Sequence, residues 1–210
     1  MPPPLTLYYR PGTCALGPLI ALEECGAAYA AVDLSQDRAA LLRINPRGKV
    51  PVLRMGDHSL RECVAILDLI AALHPAAGLM PRDPLDRAEC LSLLAWYAST
   101  LHIDYRRFLK PAVFSADPAA HAGISDRGRA AFQAGLAELD GMLAGRRWAL
   151  GDSYSLADGY ALVFVNWAVT SGLFLPDWQA LAGWTRRMLA RPAVGRALAR
   201  MDSPLPAWAG

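Results

Sequence analysis

The sequence predicts an α/β unit followed by an all-helical unit, and three observations carry the prediction. Residues 5–73 alternate strand-like and helix-like segments in the order βαβαββα. From His74 to Asp86 the chain carries Pro75, Pro81 and Pro84 with little periodicity, the mark of a connecting segment. Beyond it every segment reads as helix, with apolar residues recurring at three and four. The units are assigned to residues 1–78 and 87–210, with 79–86 between them.

Leu5 to Tyr9 is a strand pattern that runs into a Pro11-Gly12 turn and delivers Cys14 to a helical pattern ending near Cys25-Gly26. Pro18 fits only a first turn, so regular helical bonding begins close to Cys14. Tyr29 to Leu34 is β-prone, and Asp37 to Ile44 is rich in Arg, Ala and Leu and reads as helix. Asn45-Pro46-Arg47-Gly48 is a turn cluster. Val50–Met55 and Ser59–Leu60 flank Gly56-Asp57 as an antiparallel hairpin. Val64, Ile66, Leu67, Ile70 and Leu73 then mark a helix from Cys63.

Asp83 and Pro84 suit an N-cap and a first helical position, opening a long helix that stops before Pro111. A second long helix is expected from about Ser125 to Leu143. Ser155 and Asp158 form a capping box. Shorter helices follow, from about Trp178 to Ala190 and from Pro192 to Met201.

At 210 residues and 54% hydrophobic content the chain can bury a sizeable core, which excludes disorder. The net charge is only +2, with scattered basic residues and no basic stripe interleaved with aromatics, so nucleic acid is not an expected partner. The start, MPPPL, has neither a basic nor an apolar leader region. The longest apolar stretch, Tyr160 to Val169, is interrupted by Asn166 and falls short of the ~18–20 residues a membrane span needs. A soluble, intracellular protein is expected. Its four cysteines, Cys14, Cys25, Cys63 and Cys90, lack zinc-ligand spacing, and free thiols are the expectation. No metal is called.

The chemistry centres on YYRPGTCALGP, Tyr8 to Pro18. Unpaired amides at a helix N-terminus stabilise a thiolate, either that of Cys14 or that of a bound thiol ligand, so the segment reads as a thiol-handling site. The competing reading is a cysteine packed as a small hydrophobe. In NPRGKVPVL, Pro51 belongs at a strand's beginning or edge. A cis Val50–Pro51 bond would turn the Val50 N–H and C=O outward to pair with an extended peptide; an ordinary edge proline is the alternative. In LRECVAIL, Glu62 and Cys63 stand where a strand passes into a helix. There, free amides and a carboxylate suit the two charges of an amino acid; the alternative is a Glu serving its own helix. Ser99, His102 and Arg106 fall on one helical face, with Tyr105 close by.

Taken together, YYxPGxC, GKVPVL, the Glu at the next helix start, the Pro-rich connection, WALGDSYSLAD and the closing MLARPAV resemble a bacterial cytosolic glutathione transferase of the beta class. The resemblance spans nearly the whole chain. It implies a thioredoxin-like domain plus a helical domain, a homodimer, a cytoplasmic location, and glutathione as co-substrate for attack on a small, mostly apolar electrophile. Cys14, Tyr9 and His102 match catalytic positions. Val50, Pro51, Glu62 and Cys63 match glutathione-binding positions, with Lys49 near the glycyl carboxylate and Ser99 on the helix facing the thiol. Tyr105, Arg106 and Trp167 are assigned to the electrophile pocket. Thiol–disulfide exchange at Cys14, or a non-catalytic binding protein on the same fold, are the alternatives.

The chain departs from the pattern at four places. Cys63 stands where the family commonly has Ser, and Ala95 where relatives often carry Asn. The Ser35–Ile44 stretch looks short. Gly159 stands opposite Tyr154, so no hydrophobic staple is expected beside the capping box.

Overall fold

The computed structural model describes residues 3–174 and 177–208. Met1 and Pro2, part of the MPPPL start read above, lie outside the described residues.

The first half is built on a four-stranded mixed sheet of order β2-β1-β3-β4. Its strands are β1 (Leu5–Tyr9), β2 (Tyr29–Asp33), β3 (Val52–Met55) and β4 (His58–Arg61). Only β1 and β2 run parallel; β1 meets β3 and β3 meets β4 antiparallel. Alternation along β1 decides its faces. Leu5, Leu7 and Tyr9 enter the main core with α1 (Leu16–Glu24) and α3 (Cys63–Leu73), while Tyr8 joins a small cluster with Leu34, Leu41 and Val52. That second cluster is capped by α2 (Arg38–Ile44), whose N-cap Asp37 accepts from the Ala40 amide at 2.7 Å. Gly56 closes the hairpin at φ 58°, a conformation glycine adopts without steric cost.

The helical half comprises α4 (Pro84–Trp96), α5 (His102–Leu109), α6 (His121–Leu143), α7 (Leu156–Thr170), α8 (Gln179–Leu189), α9 (Pro192–Arg200) and α10 (Leu205–Trp208). Asp83 caps α4 by accepting from Leu85 and Asp86, with Pro84 in the first turn. The helix expected to run unbroken to Pro111 instead contains a π turn, Tyr97–Leu101, between α4 and α5. Helix α6 starts at His121, four residues earlier than expected, behind a 3-10 turn at Pro118–Ala120.

Helix α7 is buried on every side from Leu156 to Ala168 and forms the axis of the molecule. Its capping box is present. Ser155 Oγ accepts from the Ala157 amide, and the Asp158 carboxylate accepts from the amides of Ser155 (3.0 Å) and Ala149 (2.8 Å) and from the Trp184 indole (2.9 Å). At Gly159, opposite Tyr154, a β-carbon would lie 3.2 Å from the Tyr154 hydroxyl and 3.3 Å from Ile20. Glycine is there because Tyr154 and α1 occupy the space a side chain would need.

The halves are joined along α1. Gly17 lets it approach α7, where a β-carbon would come 3.0 Å from the Tyr160 ring. Glu24 binds Arg191 through both oxygens at 2.6 and 2.9 Å, and Glu23 pairs with Arg196. None of the described helices is long and apolar enough to cross a membrane.

Candidate functional site

The site assembles where three chain segments meet: the turn after β1, the approach to β3 and the start of α3. Regular α1 bonding begins at Leu16, and the turn before it is closed by Leu16 N–H to Thr13 O and Gly17 N–H to Cys14 O. Pro18, third in the helix, has no amide to leave unpaired. Thr13 holds the turn by donating to Arg10 O at 2.7 Å. The Gly12 carbonyl accepts the Trp167 indole N–H at 3.0 Å, so α7 anchors the segment that presents Cys14.

The Val50–Pro51 peptide is cis. The Cys14 thiol lies 4.0 Å from the Val50 carbonyl, and the Val50 N–H has no hydrogen-bond partner among the described residues. Asn45, buried behind this loop, shapes it by donating to Lys49 O at 2.7 Å and accepting from the Arg47 amide.

Glu62 marks the start of α3 with φ 71°, a left-handed conformation costing a non-glycine residue about 1–3 kcal/mol. Its side chain makes no cap bond to its own helix. The carboxylate turns into solvent and pairs with Arg47 at 3.1 Å. With both partners largely exposed, that pair contributes at most about 1 kcal/mol, so the α3 start gains little from it. Strained backbone without a local return is a feature of binding sites. Cys63, the next residue, is buried, and its sulfur donates to the Cys14 carbonyl at 3.6 Å.

These neighbours set the ionisation of Cys14. Its pKa is lowered to about 5, first by the hydrogen bond from the Cys63 thiol and then by the hydrogen bond and charge of His102, both working against burial. Cys63 is pushed well above the ordinary thiol value by the same contact and by burial. One negative charge is thus favoured on Cys14, with Cys63 beside it kept protonated. Cys25 and Cys90 move the other way, up to about 11 through burial, and read as packing.

His102 opens α5 just after the π turn, and its ring meets Trp167 edge-on at 5.1 Å. Trp167 in turn stacks on Tyr105 at 4.6 Å, and the Tyr105 hydroxyl bonds Ser171 at 2.9 Å. Tyr105 and Trp167 are buried, so they form a wall behind His102, while Arg106 beside them is half-buried. Ser99 falls within the π turn and is exposed, as is Ala95 on α4. Lys49 is exposed. Tyr9 ends β1 in the core, and its hydroxyl feels Asp33, Arg200 and Asp202, with burial raising its pKa most. Arg47, paired with Glu62, and Tyr160, which acts on the Cys63 pKa, were not singled out by the sequence, although Arg47 sits in its Asn-Pro-Arg-Gly turn cluster. Two surface hollows of about 240 and 450 Å³ border the connecting segment around Met80 to Arg82, away from Cys14. Among the described residues no cluster of His, Cys, Asp or Glu is arranged to hold a metal.

A βαβ-ββα sheet unit with a cis-proline facing a helix-start thiolate, docked on an all-helical half, defines a thioredoxin-like thiol-binding protein. Residues 18–78 match the family model for the glutathione S-transferase N-terminal domain, and residues 122–187 that for its C-terminal domain. Glutathione S-transferase GST-4.5 of Xanthomonas campestris pv. campestris is 31% identical over 201 residues, covering 92% of this chain and 97% of its own. A glutathione transferase homologue from Sulfitobacter, solved with bound glutathione, superposes with a TM-score of 0.88 at 30% identity, over 94% of this chain and 98% of its own. A beta-class enzyme of Sphingomonas chungbukensis gives 0.83 at 31%, over 93% and 98%. The chain belongs to the glutathione S-transferase family.

Proposed function

We propose that the protein is a glutathione transferase that lays glutathione along the Val50 backbone with its sulfur beside Cys14. The observation that carries this is the cis Val50–Pro51 peptide, which sets the Val50 carbonyl 4.0 Å from the Cys14 sulfur and leaves the Val50 amide without a partner among the described residues. The cysteinyl amide and carbonyl of glutathione pair with Val50, the γ-glutamyl end meets the α3 start at Glu62 and Cys63, and Lys49 and Arg47 lie on the side of the glycyl carboxylate. The α3 amides receive an anionic group as any helix N-terminus does.

The donors that hold a negative charge on Cys14 serve whichever sulfur lies between them. When the glutathione thiol enters, its proton passes to Cys14 and the charge to the ligand sulfur, which then attacks the electrophile. His102 stays close to that charge. Tyr105, Arg106 and Trp167 form the side from which a mostly apolar small molecule approaches, and Tyr9 supports the sheet end behind the turn. The unit boundary is placed at residues 79–86, and the protein works as a cytoplasmic homodimer.

Glutathione with 1-chloro-2,4-dinitrobenzene as probe electrophile tests the reading. Saturable conjugate formation, lowered at least about tenfold by His102→Ala, is expected. No turnover, together with no retention on immobilised glutathione, contradicts it. Light scattering should give twice the chain mass of 22.6 kDa.

A further inference from the structure

Cys63 serves glutathione only as a weak polar contact, yet its sulfur sits beside the reactive one. The two residues are 49 apart in sequence, and the fold brings the starts of α1 and α3 together so that the Cys63 sulfur reaches the Cys14 carbonyl at 3.6 Å. The ionisation of each thiol depends on the other, the Cys14 pKa being lowered and the Cys63 pKa raised by their proximity, and Tyr160 acts on Cys63 in the lowering direction. Cys14 and Cys63 are each only 7% exposed, so neither thiol is freely open to bulk solvent.

Building on that glutathione site, we propose that Cys14 and Cys63 are a dithiol pair, with Cys63 the resolving thiol in reduction of glutathione-containing disulfides. The Cys14 thiolate attacks the glutathionyl sulfur of a disulfide RS–SG. A Cys14–SG bond forms, and RS⁻ leaves and takes a proton from water. Cys63 then gives up its proton and attacks the Cys14 sulfur. The Cys14–Cys63 bond forms, and GS⁻ leaves with that proton. The protein loses two electrons, and RS–SG is reduced to RSH and GSH. Two further glutathione molecules return the pair to thiols and leave as glutathione disulfide.

The electrostatics time the second step. A thiolate on Cys14 keeps Cys63 protonated, because two adjacent charges repel. Once Cys14 is in a disulfide that charge is gone, and the Cys63 pKa falls from its raised position, with burial and Glu62 still opposing ionisation and Tyr160 favouring it. The two remaining cysteines stay protonated and do not compete.

The test exposes reduced wild type, Cys63→Ser and Cys14→Ser to glutathione disulfide, followed by acid quench, intact mass and non-reducing peptide mapping. Wild type should yield a Cys14–Cys63 linked peptide and lose half of its four titratable thiols. Cys63→Ser should hold one glutathionyl group on Cys14 at least about tenfold longer, and Cys14→Ser should show neither product. Wild type that keeps the glutathionyl group as long as Cys63→Ser, or that binds glutathione by calorimetry without ever forming the link, overturns the dithiol pair alone. Absence of both glutathione binding and adduct overturns the glutathione site and the pair with it.

Discussion

At the scale of single residues, the chemistry rests on Cys14 being held ionised by neighbours distant in sequence. Absorbance of the thiolate near 240 nm should report a midpoint at about pH 5 for Cys14. Cys63→Ala removes the largest cause of the lowering and should raise that midpoint by about one unit or more. His102→Ala should raise it less. The same shift acts on stability. A thiol whose folded pKa lies below its unfolded value of 9.0 contributes stability that is complete above pH 9 and is lost as pH falls toward about 5. Wild type should therefore lose more thermal stability than Cys14→Ser between those limits, and parallel curves would contradict the assignment.

At the scale of elements, the position of His102 depends on how closely α5 lies on α6. A β-carbon at Gly128 would meet the Phe108 amide nitrogen at 2.5 Å and the Asp104 carbonyl at 2.8 Å, both main-chain atoms that cannot turn aside. At Gly135 the obstruction is the tip of the Leu101 side chain, which can change rotamer. Gly128→Ala should cost at least about 3 kcal/mol in denaturant unfolding and lower activity through displaced His102, while Gly135→Ala should cost about 1 kcal/mol or less. What the sequence disclosed divides along the same line. Strands, turns and caps were legible because alternation, Asn-Pro-Arg-Gly, Asp83-Pro84 and Ser155–Asp158 are local signals. The π turn was not, since Tyr97 to Leu101 carries no Gly or Pro to mark it, and Ser99 within it is exposed. Nor could any local pattern show that Cys63 meets Cys14, because only the packing of α1 beside α3 joins them.

At the scale of the whole molecule, the helical half does more than cover the sheet. Through the Trp167 indole it holds Gly12, and through Arg191 and Arg196 it grips Glu24 and Glu23 on α1, so the turn bearing Cys14 is fixed from both sides. Arg191 also lies over the Tyr154 ring at 3.7 Å. Arg191→Ala strands the mostly buried Glu24 carboxylate, and because Arg191 is itself partly exposed the loss should be about 2 kcal/mol, read as a fall in melting temperature. Trp167→Phe keeps the stacking on Tyr105 but drops the bond to Gly12, and should raise the KM for glutathione with little loss of stability. These long-range pairs, 155 and 167 residues apart, are where sequence reading ends and tertiary structure begins.

The most direct measurement is a crystal structure of the reduced protein soaked with glutathione. The account predicts the tripeptide extended along Val50, its cysteinyl amide and carbonyl paired with the Val50 backbone, its γ-glutamyl group at the α3 start, and its sulfur within about 4 Å of Cys14. Glutathione bound elsewhere, or with its sulfur turned away from Cys14 and His102, would contradict it.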